Sequence, residues 1–195
     1  MNIRTKREPP RPIIFNRGEK RDKESLNKLR YSITSLRIVD TILQQLEEYY
    51  LMQYPMLLHD EEKCAHAVKE CIMEELARAP IENIGRWVYF PWNNTLIHVL
   101  EPKRFHFVRT NRNRDLITES EQRHFAKAHI GIAGLSVGSS IILTIVLEGG
   151  GDRITLADGD ILALSNTNRV RASITDLGKP KINIVAEQIY AINPY

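Results

Sequence analysis

The stretch from Ile130 to Leu147 contains no charged residue. A run this long and this apolar is either a membrane span or a piece of a folded domain. Its interior decides between them. Gly131, Gly134, Ser136, Gly138, Ser139 and Ser140 crowd its first half. A short apolar run, a glycine/serine turn and a second apolar run describe strand, turn and helix better than a membrane helix. His129 to Ala133 therefore reads as a buried strand. Ser139 to Glu148 reads as a helix that is apolar nearly all round and so should be enclosed. Gly149, Gly150 and Gly151 end it, and Arg153 to Ala157 reads as a second strand. The N-terminus lacks an apolar core after its charges, so no secretory leader is read there. No membrane partner is expected.

Strand, glycine-bearing turn, helix, strand and then an acid is the opening of a nucleotide-binding βαβ unit. Glycines let the backbone approach phosphate oxygens. The following helix points its free N–H groups and positive dipole end at them. An acid closing the second strand can accept hydrogen bonds from ribose hydroxyls. Here Gly134-Leu-Ser136-Val-Gly138-Ser139 is the turn and Asp158 is the acid. Serine stands where two glycines of the dinucleotide fingerprint would be, and a tight structural turn explains this segment nearly as well.

Composition bounds the rest. The chain has 195 residues and is 43% hydrophobic, enough for a real core. Cys64 and Cys71 cannot build a disulfide scaffold or a four-cysteine zinc site. Seven apart on a helix, they read as small core residues in a reducing compartment, so a cytoplasmic location is expected. The histidines show no metal-ligand spacing, so no metal site is assigned. The net charge is +3, but the excess is local. Residues 1–30 hold ten basic and four acidic residues, leaving the remainder net negative. With Pro9, Pro10 and Pro12, residues 1–23 read as a basic, solvated, partly disordered arm rather than a nucleic-acid clamp.

Leu29, Ile33, Leu36, Val39, Leu43, Leu46 and Tyr50 recur at three- and four-residue steps, which predicts one long helix from 24 to about 52 ended by Pro55. A second helix is predicted from an Asp60 N-cap to about Ala79. Residues 86–100 have β-branched and aromatic runs around Pro91 and Asn93-Asn94, which predicts a hairpin. Trp87 and Trp92 are read as its packing residues rather than as stacking platforms. Residues 101–116 are basic, and Thr118 to Glu121 is a capping-box pattern opening a short helix. Pro180 opens a last helix whose Ile182, Val185, Ala186, Ile189 and Ile192 share a face.

The segment after the second strand is the more specific one. Asp158-Gly-Asp160 is followed by Ser165-Asn166-Thr-Asn168-Arg169 and then by Gly178-Lys-Pro-Lys181. In order and spacing these elements resemble the ThiF/MoeB-type adenylyltransferases of the ubiquitin-activating-enzyme superfamily. Arg109-Thr-Asn-Arg112-Asn resembles that family's Arg-x-x-Arg-Gln element, with Asn for Gln. The resemblance covers residues 109–195. The resemblance implies a Rossmann-like βαβα unit over those residues; with the mainly helical extension and hairpin read from the residue pattern over 24–108 before it, the chain is expected to be α/β. The resemblance also implies ATP and Mg2+ as ligands. Gly134, Ser136 and Gly138 would hold phosphates and Asp158 the ribose. Asp160 would shape the Mg-ATP site. Ser165, Asn166, Asn168 and Arg169 would contact ATP, Lys181 would sit on the phosphates, and Arg112 would reach the phosphates of the partner subunit in a homodimer. Arg112, Arg169 and Lys181 are the expected catalytic residues. The partner implied is a ubiquitin-like or sulfur-carrier protein, whose C-terminal carboxylate is adenylated.

Ser136 departs from the family's turn. The family's later aspartate, its cysteine-pair zinc site and its protein groove are expected beyond Tyr195, so 109–195 reads as the N-terminal half of an adenylation domain. Two other readings stay open on the sequence. One is a non-catalytic, ThiF-like pairing subunit. The other is a fragment of an NAD(P)-binding oxidoreductase, which shares the turn and the acid but gives no reason for Ser-Asn-x-Asn-Arg or Gly-Lys-Pro-Lys.

Overall fold

A computed structural model describes residues 9–54 and 60–195. The first eight residues of the basic arm, and Pro55 as a helix stop, lie outside the described residues. The chain divides into two compact units, Pro12–Asn111 and one that contains Arg112–Tyr195.

In the N-terminal unit the elements run β1 (Ile13–Phe15), α1 (Lys20–Ser32), β2 (Arg37–Asp40), α2 (Ile42–Gln53), α3 (Glu61–Arg78), β3 (Arg86–Phe90), β4 (Thr95–Val99) and α4 (Pro102–Arg109). Among the described residues they form a four-stranded sheet in the order β1-β3-β4-β2. The expected hairpin is its centre. β3 and β4 pair antiparallel, with Phe90 opposite Thr95, and Asn94 takes a left-handed φ of 50° in the connection. β1 adds antiparallel to β3, and β2 adds parallel to β4.

The single helix expected over 24–52 is corrected here. It is two helices separated by strand β2, whose Arg37-Ile-Val-Asp40 pairs with Thr95–His98. Helical spacing persisted across the break because Ile33, Leu36 and Val39 are also apolar positions of a loop and a strand. β-branched Ile38 and Val39 then gain more from a ladder than from a helix turn. The expected arm is also shorter than its charge suggested: Phe15 of β1 is buried, and α1 starts at Lys20.

Phe15, Leu26, Trp87, Tyr89 and Leu96 form one buried cluster, which lays α1 on the sheet. Ile42, Leu46, Cys64, Val68, Ile72, Ile84 and Leu100 form another, between α2, α3 and the strand ends. Each such side chain, fully buried, contributes about 1.5–3 kcal/mol. Asp60 caps α3 as expected, accepting from the Lys63 N–H at 3.1 Å. Trp87 is buried and stacked on His98, and Trp92 meets Phe90 edge-on, so both pack within the unit. α4 went unread in the sequence. Glu101 caps it by accepting from the Lys103 and Arg104 N–H groups, and Pro102 fits its first turn.

Between α2, α3 and α4, the Tyr50 hydroxyl donates to Glu75 at 2.5 Å, and one Arg104 nitrogen donates to both Glu75 oxygens at 2.7 and 2.8 Å. Burial, then the Glu75 hydrogen bond, push the Tyr50 phenol up to about 12. The fold thus holds the neutral phenol. That contribution is present below the ordinary value of 10.0 and is lost as pH rises through about 12. Tyr50→Phe is expected to remove the phenolate absorbance component that titrates near pH 12. It should also flatten the fall in unfolding free energy between those two values, measured by urea melts across that range.

The C-terminal unit runs α5 (Glu119–Ala126), β5 (His129–Ala133), α6 (Gly138–Leu147), β6 (Arg153–Ala157) and α7 (Lys181–Ile192). β5 and β6 pair parallel in register from His129 with Arg153 to Ala133 with Ala157, so β5-α6-β6 is a βαβ unit. The Thr118–Glu121 capping box is present in full. α6 ends in a Schellman motif, with Gly149 N–H to Val146 O at 3.1 Å and Gly150 N–H to Ile145 O at 2.9 Å. A side chain at residue 150 would meet the Phe125 ring at 2.5 Å, so glycine there also seats α5.

Leu135, Ile142, Leu143, Val146, Ile182, Val185 and Ile189 form this unit's core, with Ile130, Ile132, Ile154 and Leu156 packed against it. Two expectations are corrected. α6 is not enclosed: Val137 before it is 69% exposed and its own Ile141 and Leu147 are 50% and 52% exposed. β5 is not buried on both faces: Ile130 and Ile132 face the core, while His129, Gly131 and Ala133 are exposed. In the described residues, α6 and α7 contribute to one core, so only one side of the parallel pair needs apolar residues. No helix among the described residues is long and apolar enough to cross a membrane.

Candidate functional site

The site grows from the end of β5. Gly134 has φ of 85°, a conformation glycine adopts without the penalty of a Cβ, and a Cβ there would meet open space. Its N–H bonds the Ala157 carbonyl at 2.8 Å, extending the parallel ladder by one step. Leu135 then turns fully inward as the apolar anchor of the bend. Its N–H donates to Asp158 Oδ2 at 2.6 Å, while Asp158 Oδ1 accepts the Asp160 N–H at 2.7 Å. Asp158 therefore clamps the first bend to the chain leaving β6. Gly138 opens α6 where a Cβ would lie 2.6 Å from Ile132 Cγ2, so only glycine lets the helix come this close to β5. The fully buried Ser139 donates its hydroxyl to Ser136 O at 3.1 Å. The start of α6 has no side-chain cap, so its first N–H groups are not claimed by one.

Lys181 is brought to this bend by backbone bonds. Ile161 bridges Pro180, Leu162 N–H bonds Lys179 O at 2.9 Å, and Lys181 N–H bonds Asp160 O at 3.0 Å. The Lys181 side chain is only 4% exposed, its ammonium 2.7 Å from Asp160 Oδ2 and 3.4 Å from Ser136 Oγ. Asp160 itself is 72% exposed. The cation thus sits at the base of the site with its carboxylate toward solvent. Lys179, two residues earlier, goes elsewhere: it bonds Asp176 at 2.8 Å, which raises its pKa.

The remaining candidates lie on a separate segment. Ser165 and Asn166 are in a 3-10 turn, Leu164–Asn166, in which Asn166 Oδ1 accepts the Ala163 N–H at 3.1 Å. The exposed Arg169 guanidinium donates to Ser165 O and to Asn168 Oδ1, both at 3.0 Å. The structure therefore joins Ser136, Asp158, Asp160 and Lys181 through one set of hydrogen bonds around the bend that Gly134 and Gly138 delimit. It gathers Ser165, Asn166, Asn168 and Arg169 into a second, local one.

Arg112 is exposed in a 3-10 turn, Asn111–Asn113. Its neighbour Asn113 donates to Gln122 Oε1 at 2.8 Å and to Glu148 O at 3.1 Å, and buried Gln122 donates to the same carbonyl at 3.1 Å. Asn113 and Gln122 thus fasten the segment bearing Arg112 to the C-terminal end of α6. Sequence reading named neither as an anchor; only the amide at Asn113, where the resembled motif has Gln, pointed that way. Arg109, in α4 of the other unit, lies over the Phe105 ring at 5.6 Å, and burial lowers its pKa. Among the described residues no three His, Cys, Asp or Glu side chains gather as a metal would need.

Residues 109–195 match the ThiF family. This segment belongs to the ThiF family. Over 115 residues, 59% of the chain, the sequence is 40% identical to the uncharacterized protein MT1398 of Mycobacterium tuberculosis, and covers 16% of that protein. The crystal structure of E. coli tRNA N6-threonylcarbamoyladenosine dehydratase, TcdA, is 36% identical, with 45% of this chain and 37% of that one covered at a TM-score of 0.43. A structure described as TcdA (CsdL) is 34% identical, with 49% and 37% covered at a TM-score of 0.44. The chain thus spans well under half the length of these relatives. The ThiF segment holds the bend, Asp158, Asp160 and Arg169 on its own loops and Lys181 at the start of α7.

Proposed function

We propose that the ThiF segment binds ATP with Mg2+ and contributes to adenylation of a carboxylate, the C-terminal one of a ubiquitin-like or sulfur-carrier protein. The observation that carries this reading is Lys181: a buried ammonium placed under a glycine-bearing bend, with a partner carboxylate facing outward. An ammonium costs several kcal/mol to desolvate, and a triphosphate at the bend would offset that cost. The residues fit such a ligand. The uncapped start of α6 offers N–H groups, Gly134 leaves room for close approach, and Asp158 lies at the mouth of the bend. Mg2+, when bound, would supply charge neutralisation on the triphosphate, and Asp160 is the carboxylate placed to face it.

The chemistry asks little of the protein beyond positioning. The acceptor carboxylate attacks the α-phosphorus, an acyl-adenylate forms and pyrophosphate leaves. Charge grows on the phosphoryl oxygens, so fixed cations and N–H dipoles supply the stabilisation. Lys181 would hold phosphate charge from below. Arg169, pre-oriented by Ser165 and Asn168, would approach from solvent. Arg112, on its fastened turn, is the residue suited to reach a neighbouring subunit of a homodimer. A nicotinamide-binding reading gives the buried Lys181–Asp160 pair no task.

The test is ATP–pyrophosphate exchange with and without a ubiquitin-like acceptor. Exchange that needs the acceptor supports the proposal. ATP binding without exchange favours a pairing subunit, and NADH binding in place of ATP overturns the reading. Within the same assay, Arg169→Ala is expected to weaken ATP about tenfold, the loss of one charge-assisted contact. Unchanged ATP affinity would remove Arg169 from the site.

A further inference from the structure

The N-terminal unit contains a pair of cations that its own fold leaves unneutralised. Arg17 follows β1 by two residues, and β1 pairs Phe15 with Trp87, so residue 17 leaves the sheet at the Trp87 end of β3. Arg30, near the end of α1, lies with its guanidinium 4.3 Å above the Trp87 ring. Both side chains are half-buried, and the Nε of each is buried without a hydrogen-bond partner. Neither forms an ion pair among the described residues.

The neighbouring acids are already engaged. Asp22 accepts the Asn16 N–H at 2.8 Å, and Glu19 accepts from Asn16 Nδ2 at 3.2 Å. Asp40 holds buried His98 at 3.0 Å and accepts the Ile42 N–H at 3.3 Å. Glu82 and Asp40 act on Arg30 only through longer-range attraction, and burial together with the charge of Arg17 outweighs them to lower the Arg30 pKa. Two guanidiniums that repel each other, each with a buried donor unspent, are an unfavourable arrangement for a protein alone. A planar or tetrahedral oxyanion matches the guanidinium fork and would neutralise the two charges.

We propose that Arg17 and Arg30, beside Trp87, form a binding site for a small oxyanion carried by a phosphate or carboxylate group. The site belongs to the N-terminal unit and is independent of the ThiF segment's ligand. Trp87 donates its indole N–H to Glu82 O at 3.2 Å, so its resonance reports on this locality.

The experiment titrates the full 15N-labelled chain with inorganic phosphate, with acetate and with KCl at matched ionic strength, following the Trp87 indole. A saturable shift with phosphate or acetate, absent with KCl, is the expected result, and the stronger of the two identifies the class. Arg17→Gln should weaken it about tenfold, while Arg21→Gln, an exposed arginine of α1, should not. Because Arg17 lies in a loop, its replacement is the cleaner variant. In anion-free buffer it should raise the melting temperature by about 2 °C by relieving the repulsion, whereas a merely structural arginine would lower it. A response that KCl reproduces, equal losses in Arg17→Gln and Arg21→Gln, or a fall in the anion-free melting temperature of Arg17→Gln overturns the proposal.

Discussion

Replacing Lys181 with methionine is expected to abolish ATP-dependent exchange, by about 100-fold or more, while leaving the melting temperature of the chain nearly unchanged. The two halves of that expectation come from the asymmetry of the pair. Lys181 is 4% exposed and Asp160 is 72% exposed. Methionine keeps the length and the buried stem of the lysine and leaves behind only a solvated carboxylate, so no buried charge is orphaned. The opposite deletion behaves differently. Asp160→Ala leaves the ammonium buried with Ser136 Oγ as its remaining side-chain partner, at 3.4 Å, and is expected to cost about 2 kcal/mol of stability. Loss of one cation from a phosphate site is a loss of transition-state stabilisation of about 2.7–4 kcal/mol, which sets the 100-fold figure. Thermal melts and exchange rates on both variants check this. Exchange at the parental rate in the methionine variant would remove Lys181 from the reaction, and a large loss of stability in that variant would mark the lysine as structural.

The sequence displayed the βαβ unit because its punctuation is chemical. Gly134, Gly138 and the glycines after Glu148 occupy positions where backbone conformation or close approach excludes other residues, and such constraints survive in a single sequence. The same holds for Asp60, Thr118 and Glu121, which cap helices through local bonds. β1 and β2 were illegible because each is three or four residues long and is specified by its partner across the sheet rather than by its own pattern. The apolar surface of α6 was legible and its burial was not, since periodicity reports what a helix can bury and says nothing of what covers it. At the site, the clamp by Asp158 and the depth of Lys181 were anticipated only as roles. Which of the two lysines around Pro180 turns inward depends on Asp176 claiming Lys179, a contact set by tertiary geometry. Ser136 read as a departure from a motif, and its hydroxyl is the atom of the bend that Lys181 reaches.

Gly85→Ala is expected to have the largest effect on stability. Gly85 introduces β3 with φ of 70°, a region that costs an L-residue about 1–2 kcal/mol. An added Cβ would also lie 2.2 Å from the Val99 carbonyl oxygen and 3.2 Å from Ile42 Cδ1. The first of these atoms is backbone. It belongs to the strand that pairs Val99 with Arg86, so it can move only by opening the β3–β4 ladder at its end. The neighbouring Ile84 carbonyl is the acceptor for His98 Nε2 at 2.6 Å, and the neighbouring Leu100 N–H donates to Gln45 at 3.1 Å. Displacement would therefore disturb a buried histidine and the tie between β4 and α2 together. A loss of about 3 kcal/mol follows, a fall of roughly 12 °C or more for a unit of this size. Gly159 is the matched control. It lies in the loop after β6, an added Cβ meets nothing within 4 Å, and its φ is not in the left-handed region. Gly159→Ala should change stability by no more than about 0.5 kcal/mol, in the stabilising direction through the unfolded chain. Differential scanning calorimetry on the two variants separates a steric requirement at the start of β3 from a general intolerance of alanine in loops: equal shifts would refute the backbone clash.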